Sequence, residues 1–400
     1  MSKTYLVGGA VRDLIMGKEP SDLDYVVVGA SPEEMLEKGF EKVGADFPVF
    51  LHPETKDEYA LARTERKVGN GYNGFETFFS KDVTIEEDLK RRDTTMNSIA
   101  KDIDTGEIID PYNGVSDIKN KLIRHVSEHF KEDPLRVLRV ARFAARFEGF
   151  KVAEETMELM KEMYDNGETK HLTKERIWKE FSRAIVVPEG SKFFQVLQKV
   201  GLGKDIFPLI NGFMNDRNLD FILPRIHVSS MDESLKNADL KERVARWSIP
   251  TFSKADMEVV NMWNNLSAPK EVTDHVSNSC SIWNRFISDF SSLKDISKAD
   301  FKLYEIIKDH DGFRRPERFI EAYSTVKNHL TMLSGNPKCI PEKEIILEWI
   351  KIATPTKEDI AKTISNIDKK DIAESINKLK EKKWKSIKNE LTSKPRLKMF

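Results

Sequence analysis

Two aspartates separated by one residue, Asp22 and Asp24, begin an apolar run that ends at Val28. A pair of glycines, Gly8-Gly9, lies shortly before them in the sequence. In a β-strand, residues i and i+2 point to the same face. The pattern therefore predicts two carboxylates side by side at the start of a buried strand. Such a pair binds Mg²⁺ and repels itself without the cation. Because glycine has no Cβ, the upstream pair lets backbone approach a phosphate closely. Together these features indicate phosphoryl chemistry.

The charge of the chain is unevenly distributed. Its 400 residues are enough for two to four domains and carry a net charge of −1. Residues 351–400 hold 14 basic and 7 acidic side chains, a balance of +7, whereas the other 350 residues hold 51 and 59, a balance of −8. A basic tail on an acidic body favours a nucleic-acid partner, although a solvated Lys-rich terminal helix has the same composition.

Cysteine content and hydropathy indicate a cytoplasmic protein. Cys280 and Cys339 have neither metal-ligand spacing nor a disulfide framework around them, which fits a reducing compartment. The apolar stretch at the N-terminus is too short for a signal peptide. No span approaches the roughly 18 apolar residues of a membrane helix, so we expect no membrane association.

Apolar periodicity predicts two kinds of structure along the chain. Residues 1 to about 130 alternate strand-like and helix-like segments, with strands expected at residues 4–7, 23–28, 49–51 and 58–63. Ser31 is a predicted N-cap, with Glu34 in the capping-box position. The Gly- and aromatic-rich residues 67–80 are typical of a mobile loop. Helices are predicted at residues 134–147, 153–164, 173–185 and 191–200.

Two polar segments are candidate ligand-binding elements. In Arg91-Arg92-Asp93-Thr94-Thr95-Met96-Asn97, Asp93 and Asn97 are spaced to share one helix face and to hold ribose hydroxyls, and Arg92 to bind a phosphate. By itself this segment is more often a solvated helix cap. The second segment follows Pro134 and places four arginines at spacings of three, three and four: Arg136, Arg139, Arg142 and Arg146.

The arginine stripe requires neutralisation, because like charges on one helix face repel each other. A nucleoside triphosphate would supply the negative charge, and so would acidic side chains elsewhere in the fold. A further helix is predicted to begin at Thr173 as its N-cap, with Trp178 in a core, and this segment is interpreted as structural. His310-Asp311 is interpreted as a surface turn before Gly312. The sequence contains no Walker A loop, GxGxxG motif, GxSxG elbow or Cys/His zinc set.

Five motifs in one order carry a resemblance to a known family. They are Gly8-Gly9-Ala10-Val11-Arg12-Asp13, Asp22-x-Asp24, Arg91-Arg92-Asp93-x-Thr95-x-Asn97, Asp110-Pro111-Tyr112-Asn113-Gly114 and Glu132-Asp133-Pro134-Leu135-Arg136. The series resembles the class II tRNA nucleotidyltransferases, the CCA-adding enzymes and their poly(A) polymerase relatives. The resemblance implies an α+β fold, with a nucleotidyltransferase-type small mixed sheet and helices at the N-terminus followed by an all-helical neck, body and tail.

The resemblance also implies domain boundaries and residue roles. The head would be residues 1–132, the neck 133–215, the body 216–345 and the basic tail 346–400. Asp22 and Asp24 would hold two Mg²⁺ ions and act as the catalytic carboxylates, with Glu58 a possible third. The nucleotide would be bound by Gly8, Gly9, Arg12, Arg92, Asp93, Asp133, Arg136, Arg139 and Arg142. Asn97 would support Asp93, and Asp110 and Gly114 would form a hinge.

Asp133 and Arg136 suit the recognition of cytosine and adenine. Both bases present an exocyclic amine donor beside a ring-nitrogen acceptor, which match a carboxylate and a guanidinium. Guanine and uracil present a carbonyl beside an N–H, so both contacts would be lost. One Asp/Arg pair would therefore admit C and A without a nucleic-acid template.

The sequence departs from the family pattern at two places. Thr94, Met96 and Ser98 replace residues that are more often Ile, Ala or bulky. Residues 244–250 stand where many relatives carry a His-Asp phosphohydrolase motif, so we expect no metal-dependent phosphatase activity.

The resemblance implies an enzyme that adds CCA to the tRNA 3′ acceptor end, using CTP, ATP and Mg²⁺ and releasing pyrophosphate, and we expect it to be cytoplasmic. A poly(A) polymerase and an enzyme adding only CC or only A are the alternatives within this class. A non-catalytic tRNA-binding protein is the alternative from another class. Candidate tRNA contacts in the tail are the cluster Lys382-Lys383-Trp384-Lys385 and the residues Lys394, Arg396 and Lys398.

Overall fold

The computed structural model describes residues 2–43, 49–67, 75–187, 189–214, 238–248, 256–289, 299–334, 341–365 and 371–393. It confirms the predicted α+β class, with a small mixed sheet near the N-terminus followed by helices. The chain divides into two compact units, residues 1–211 and 212–400. The finer division into head, neck, body and tail stays a prediction.

The strands of the first unit are β1 (Lys3–Val7), β2 (Asp24–Val28), β3 (Glu41–Val43), β4 (Val49–Leu51), β5 (Glu58–Leu61), β6 (Arg63–Lys67), β7 (Phe75–Phe79), β8 (Ala100–Asp102), β9 (Ile108–Ile109), β10 (Leu122–Ile123) and β11 (Lys151–Val152). Seven of them form one sheet in the order β3-β4-β5-β2-β1-β8-β9. Strand β2 pairs with β5 in parallel and with β1 antiparallel. The pairs β6–β7 and β10–β11 form two further small sheets.

Apolar side chains on the two faces of β2 explain why its sequence is an uninterrupted apolar run. Val27 packs with Met35, Phe50 and Leu61 on one face. Val26 belongs to a second cluster on the other face, together with Leu89. Because successive strand residues point to opposite faces, both faces are covered. Only the start of β2, at Asp24, leaves these apolar layers.

The helices of the first unit are α1 (Gly9–Ile15), α2 (Pro32–Glu37), α3 (Ile85–Lys90), α4 (Gly114–Lys119), α5 (Leu135–Arg146), α6 (Glu154–Asp165), α7 (Lys174–Ile185), α8 (Ser191–Val200) and α9 (Gly203–Ile206). The four predicted helices after Pro134 are confirmed as α5 to α8. Ser31 caps α2 in the predicted capping box with Glu34. Helices α7 and α8 meet in an aromatic core formed by Phe181, Phe193, Phe194 and Phe207.

Two local predictions are wrong, and a third is confirmed only in part. Residues 75–79, predicted as part of a loop, form β7 and pair with β6, because their aromatic residues favour a strand; residues 68–74 lie outside the described part of the chain. Asp93 and Asn97 do not share a helix, since Thr94 pairs with His125 in an isolated bridge and only a 3₁₀ turn, Thr95–Asn97, follows. Thr173 holds the N-cap position of α7, but its side chain makes no capping hydrogen bond.

The second unit is helical where the structure describes it. After α10 (Pro208–Met214), which spans the boundary between the units, its helices are α11 (Leu240–Ser248), α12 (Asp256–Asn265), α13 (Lys270–Asp289), α14 (Ala299–Asp309), α15 (Pro316–Ser334), α16 (Lys343–Ala353), α17 (Lys357–Ile364) and α18 (Ile372–Ser393). Its core includes Tyr304, Tyr323, Trp349 and Trp384. His310 and Asp311 lie in a turn, as predicted. Among the described helices, none is long and apolar enough to cross a membrane.

Candidate active site

A cavity of about 660 Å³ in the first unit collects the polar residues that the sequence singled out. All eleven predicted catalytic and nucleotide-binding residues line it: Gly8, Gly9, Arg12, Asp22, Asp24, Arg92, Asp93, Asp133, Arg136, Arg139 and Arg142. Ten arginines line the cavity against six carboxylates. The cavity therefore suits an anionic ligand.

Gly8 and Gly9 form one wall of the cavity at the start of α1. Gly8 has φ +68°, and a Cβ added to it would lie 3.0 Å from Nη1 of Arg92. The positive φ therefore favours glycine, and a Cβ there would also displace the Arg92 guanidinium slightly. Arg12, one turn further along α1, is buried and donates from Nη1 to Oδ1 of Asn97 at 2.6 Å. Its guanidinium also lies 4.7 Å from the ring centre of Phe147, so it is held in place on several sides.

The paired aspartates lie at the start of β2. Asp24 is its first residue, whereas Asp22 belongs to the preceding bend, where it accepts from Oγ of Ser21 at 2.9 Å. Partial desolvation by the cavity walls and the neighbouring Asp22 carboxylate raise the pKa of Asp24, while Arg92 lowers it. Glu58 is in register with Asp24 on the parallel neighbour β5, but it is exposed and does not line the cavity.

Asp88 forms ion pairs with Arg91 and Arg92, the first two residues of the predicted ligand-binding segment at residues 91–97. It is fully buried on α3 and accepts from Nη2 of Arg91 at 2.8 Å and of Arg92 at 3.0 Å. Burial alone would raise its pKa, but the two guanidinium groups lower the pKa to about 2. Arg91 also donates to the backbone oxygen of Arg63 at 3.2 Å, which ties β6 to this cluster. Asp88 was not among the predicted site residues, although an acid three residues before Arg91 and four before Arg92 has the spacing of a helical ion pair.

Asp93 is the centre of the buried polar network. Its Oδ1 accepts from the backbone N–H of Thr94 at 2.7 Å and from Nδ2 of Asn97 at 3.0 Å. Its Oδ2 accepts from Nη2 of Arg139 at 2.6 Å. Although burial opposes ionisation, Arg139 and Asn97 hold the pKa of Asp93 well below its ordinary value. The predicted proximity of Asp93 and Asn97 is therefore present without the predicted helix.

Acids from other elements compensate most of the arginine stripe on α5. Arg139 pairs with Asp93, and Arg142 donates from Nε to Oε2 of Glu180 on α7 at 2.5 Å. Arg146 lies 3.7 Å from Oδ2 of Asp13. Acidic side chains elsewhere in the fold, one of the two predicted sources of negative charge, therefore do pair with this stripe. The same arginines also line the cavity, where an anionic ligand could reach them.

Asp133 and Arg136 lie together at the start of α5. Asp133 accepts from the backbone N–H of Leu135 at 3.0 Å and from Nη2 of Arg176 at 2.8 Å. Arg136 is buried and donates from Nη2 to the backbone oxygen of Arg91 at 2.6 Å. These contacts orient both side chains at the start of α5.

Two arginines on α7 line the cavity and were missed as site residues, because their segment was interpreted as structural. Arg176 orients Asp133, and Arg183 lies two turns further along the helix. Their seven-residue spacing places them on one helix face, a signal that the sequence already contained. Trp178, predicted to lie in a core, is half-buried and packs against Phe181.

The Asp110–Gly114 segment packs the start of α4 against the Thr95–Asn97 turn. Asp110 accepts from the backbone N–H of Gly114 at 2.7 Å and of Val115 at 2.9 Å, and so caps α4. A Cβ on Gly114 would lie 2.2 Å from the backbone oxygen of Thr95. Only glycine permits α4 to pack this closely against the Thr95–Asn97 turn.

The second unit presents a different chemistry. Residues 244–248 of the segment that replaces the expected His-Asp motif lie in α11, where Arg246 pairs with Glu242; residues 249 and 250 are outside the described residues. Across the residues that the structure describes, no three His, Cys, Asp or Glu side chains cluster as a metal site.

In the tail, Trp384 is buried between Tyr304 and Trp349, and Lys383 contacts Asp359 at 2.5 Å. This part of the predicted basic cluster therefore also contributes to the core of the second unit. Lys394, Arg396 and Lys398 lie outside the described residues.

Comparison with known proteins agrees with this architecture. Residues 4–124 match the model of the poly A polymerase head domain, and residues 149–214 match that of the probable RNA and SrmB-binding site of polymerase A. The fold is similar to that of the Bacillus stearothermophilus CCA-adding enzyme in complex with CTP, with a TM-score of 0.61, 21% identity, and coverage of 97% of this chain and 89% of that chain.

Two further solved structures have the same fold. A CCA-adding enzyme with ATP gives a TM-score of 0.62 at 21% identity, covering 99% of this chain and 91% of the other. A tRNA-processing enzyme complex gives 0.55 at 23% identity, covering 95% and 96%. The cavity has a glycine cradle formed by Gly8 and Gly9, the paired carboxylates Asp22 and Asp24, and a lining rich in arginine. On this fold, these features define a nucleotidyltransferase of the polymerase-A type. Residues 4–124 and 149–214 thus carry the head and RNA-binding domains of the polymerase-A type, on a fold shared with CCA-adding enzymes.

Proposed function

We propose that this protein adds CCA to the 3′ end of tRNA without a nucleic-acid template, using CTP and ATP and releasing pyrophosphate. The observation that carries the proposal is the convergence of the paired aspartates, the glycine cradle and the Asp133/Arg136 pair on one cavity. These groups would serve, in the same order, the reacting phosphate, the triphosphate and the base.

The Asp22 and Asp24 pair fits a divalent cation. Two carboxylates close enough for one to raise the pKa of the other form a hard-oxygen donor set that suits Mg²⁺. We propose that these side chains hold the Mg²⁺ ions of the reaction. When bound, the metal would favour ionisation of the tRNA 3′-hydroxyl and neutralise charge on the transferring phosphate.

The chain's own residues would orient the nucleotide. Gly8 and Gly9 leave room for the triphosphate beside Arg92, and Arg92 is oriented by its ion pair with Asp88. Positioning and charge stabilisation are the main protein contributions to phosphoryl transfer. Because Arg92 is already paired with Asp88, little reorganisation of this side chain would be needed when the nucleotide binds.

Asp133 and Arg136 would select the base. The carboxylate, oriented by Arg176, retains lone pairs that can accept from the exocyclic amine of cytosine or adenine. The Arg136 guanidinium, oriented by the backbone carbonyls of Arg91 and His129, would donate to the ring nitrogen. With uracil or guanine, the Asp133 carboxylate would face a carbonyl oxygen and the Arg136 guanidinium would face an N–H group. Neither pair can form a hydrogen bond, which disfavours binding of these bases.

The test is nucleotide incorporation by the purified protein, with Mg²⁺, onto tRNA that lacks its 3′ CCA. CTP, ATP, UTP and GTP are supplied singly and together. We expect two additions with CTP alone and a single further addition when ATP is present. A long tail of A would instead assign the protein as a poly(A) polymerase, and addition that stops at CC or adds only A would assign a partial enzyme.

Asp22→Ala separates catalysis from tRNA binding. We expect this variant to lose incorporation while its tRNA affinity stays close to that of the wild type, because Asp22 is an exposed residue outside the core. The exposed Asp104→Ala, in the turn after β8, is the matched control and should retain full activity. Retained turnover in Asp22→Ala would contradict the metal assignment.

A further inference from the structure

The arginines of the cavity differ in how far their charge is compensated. Arg139, Arg142 and Arg176 each pair with a carboxylate at 2.8 Å or less. Arg183 also lines the cavity but is exposed, and it has no ion-pair partner among the residues that the structure describes. Arg146 is intermediate, because its contact with Asp13 is 3.7 Å long and 44% of its side chain is exposed.

Arg146 and Arg183 lie at the same end of the cavity. The ion pair Asp133–Arg176 joins the start of α5 to the start of α7. The ion pair Arg142–Glu180 joins the two helices again further along both of them, so α5 and α7 run in the same direction. Arg146 lies four residues after Arg142, and Arg183 lies three residues after Glu180. Each is therefore one turn beyond the second ion pair, on the same face of its helix.

This end is also where α1 and its glycine cradle approach α5. Arg12 lies over Phe147, and Arg146 contacts Asp13. The proposed base-selecting pair, Asp133 and Arg136, lies at the opposite end of α5. From Arg136 to Arg146 the helix advances ten residues, or about 15 Å. A nucleotide whose base lies at the start of α5 would thus direct its phosphates toward Arg146 and Arg183.

We propose that Arg183, together with Arg146, binds the terminal phosphates of the incoming nucleotide and then the pyrophosphate that leaves; this inference rests on the proposed function. In the reaction, the 3′ oxygen forms a bond to the α-phosphorus while the bond from that phosphorus to its bridging oxygen breaks. Pyrophosphate leaves with the bridging oxygen and the electron pair, and the hydroxyl proton passes to solvent. Negative charge therefore increases at the end of the cavity where guanidinium charge is least compensated.

Equilibrium binding to the full-length protein tests this inference without requiring turnover. The dissociation constants of CTP, CMP, inorganic pyrophosphate and tRNA are measured for the wild type, Arg183→Ala and Arg183→Lys. A charge-assisted hydrogen bond at a partly exposed site predicts that Arg183→Ala weakens CTP and pyrophosphate binding roughly tenfold. CMP and tRNA affinities should stay unchanged, Arg183→Lys should recover part of the loss, and Arg146→Ala should act in the same direction.

Lys179→Ala is the matched control, because Lys179 is an exposed cation one turn earlier on α7 that does not line the cavity. An equal loss in this variant would attribute the effect to general charge and overturn the inference. A fall in tRNA affinity with an unchanged ratio of CTP to CMP affinity would instead assign Arg183 to the RNA backbone. Wild-type protein that neither binds CTP nor incorporates nucleotide would contradict the proposed function itself. Normal wild-type CTP binding that Arg183→Ala leaves unchanged would contradict only the role of Arg183.

Discussion

Asp93 and Arg139 are joined by two hydrogen bonds, in which Nε and Nη2 of the guanidinium donate to Oδ2 of the carboxylate at 2.7 and 2.6 Å. Asp93 precedes a 3₁₀ turn, and Arg139 lies in the middle of α5. The pair therefore fixes the sheet-containing part of the first unit to its first long helix, across the cavity that both residues line.

Removing this carboxylate should destabilise the first unit and abolish activity. Asp93→Ala leaves the Arg139 guanidinium and the Asn97 amide without their buried partner, a loss of about 3 kcal/mol in the free energy of unfolding. Chemical denaturation with paired incorporation assays measures both effects. The exposed Asp104→Ala should change the unfolding free energy by less than about 0.5 kcal/mol. An active and stable Asp93→Ala variant would contradict the central role of Asp93.

Gly114→Ala should displace the Thr95–Asn97 turn, because a Cβ there would lie 2.2 Å from a backbone oxygen. We expect a stability loss of about 1–3 kcal/mol from overpacking and a fall in kcat of about a hundredfold from misplaced site residues. Steady-state kinetics and denaturant unfolding measure the two effects. Ser116→Ala, on the exposed face of the same helix, should match the wild type in both. Wild-type kinetics in Gly114→Ala would show that this close packing does not support the site.

Arg176→Ala should weaken base discrimination more than nucleotide binding. Without Arg176, the Asp133 carboxylate keeps its bond to Leu135 but loses the guanidinium that orients it. We expect the ratio of kcat/KM for CTP to that for UTP to fall about tenfold, with partial recovery in Arg176→Lys, whose ammonium provides charge without the planar fork. The exposed Lys174→Ala in the first turn of α7 is the control. An unchanged ratio would indicate that Arg176 has only a structural role.

The second unit should lose stability below neutral pH because of His329. This side chain is buried, packs edge-on against Trp283, and has its pKa lowered to about 3 by burial and by Arg246. The folded pKa is below the unfolded value of about 6.5, so the unfolded state binds the proton more readily. The stabilisation is therefore complete above about pH 6.5 and is lost progressively toward pH 3.

Between pH 7 and pH 5 this effect amounts to about 2 kcal/mol for His329 alone. The lowered pKa of His275 acts in the same direction. Denaturant unfolding followed by tryptophan fluorescence should show this fall in the wild type and a shallower one in His329→Leu. The exposed His171→Leu should keep the wild-type pH dependence. Equal pH dependence in wild type and His329→Leu would contradict the assignment.

Local patterns identified most of the elements and much of the site. The four helices after Pro134 follow from apolar periodicity, and α2 follows from its capping box. All eleven predicted site residues line one cavity. Two of the failures depend on a partner distant in sequence. The bridge from Thr94 to His125 prevents a helix at Asp93, and strand pairing with β6 orders residues 75–79.

The sequence by itself determined which residue types are available and where the helices and buried strands lie, because periodicity, caps and turn residues act within a few positions. Only the tertiary structure decided which charges are compensated. Arg142 pairs with Glu180, 38 residues away in the sequence, and Asp133 pairs with Arg176, 43 residues away. Arg183 has no ion-pair partner among the described residues. Ion pairing depends on the distance between charges in space, and that distance is set by the packing of elements far apart in the chain.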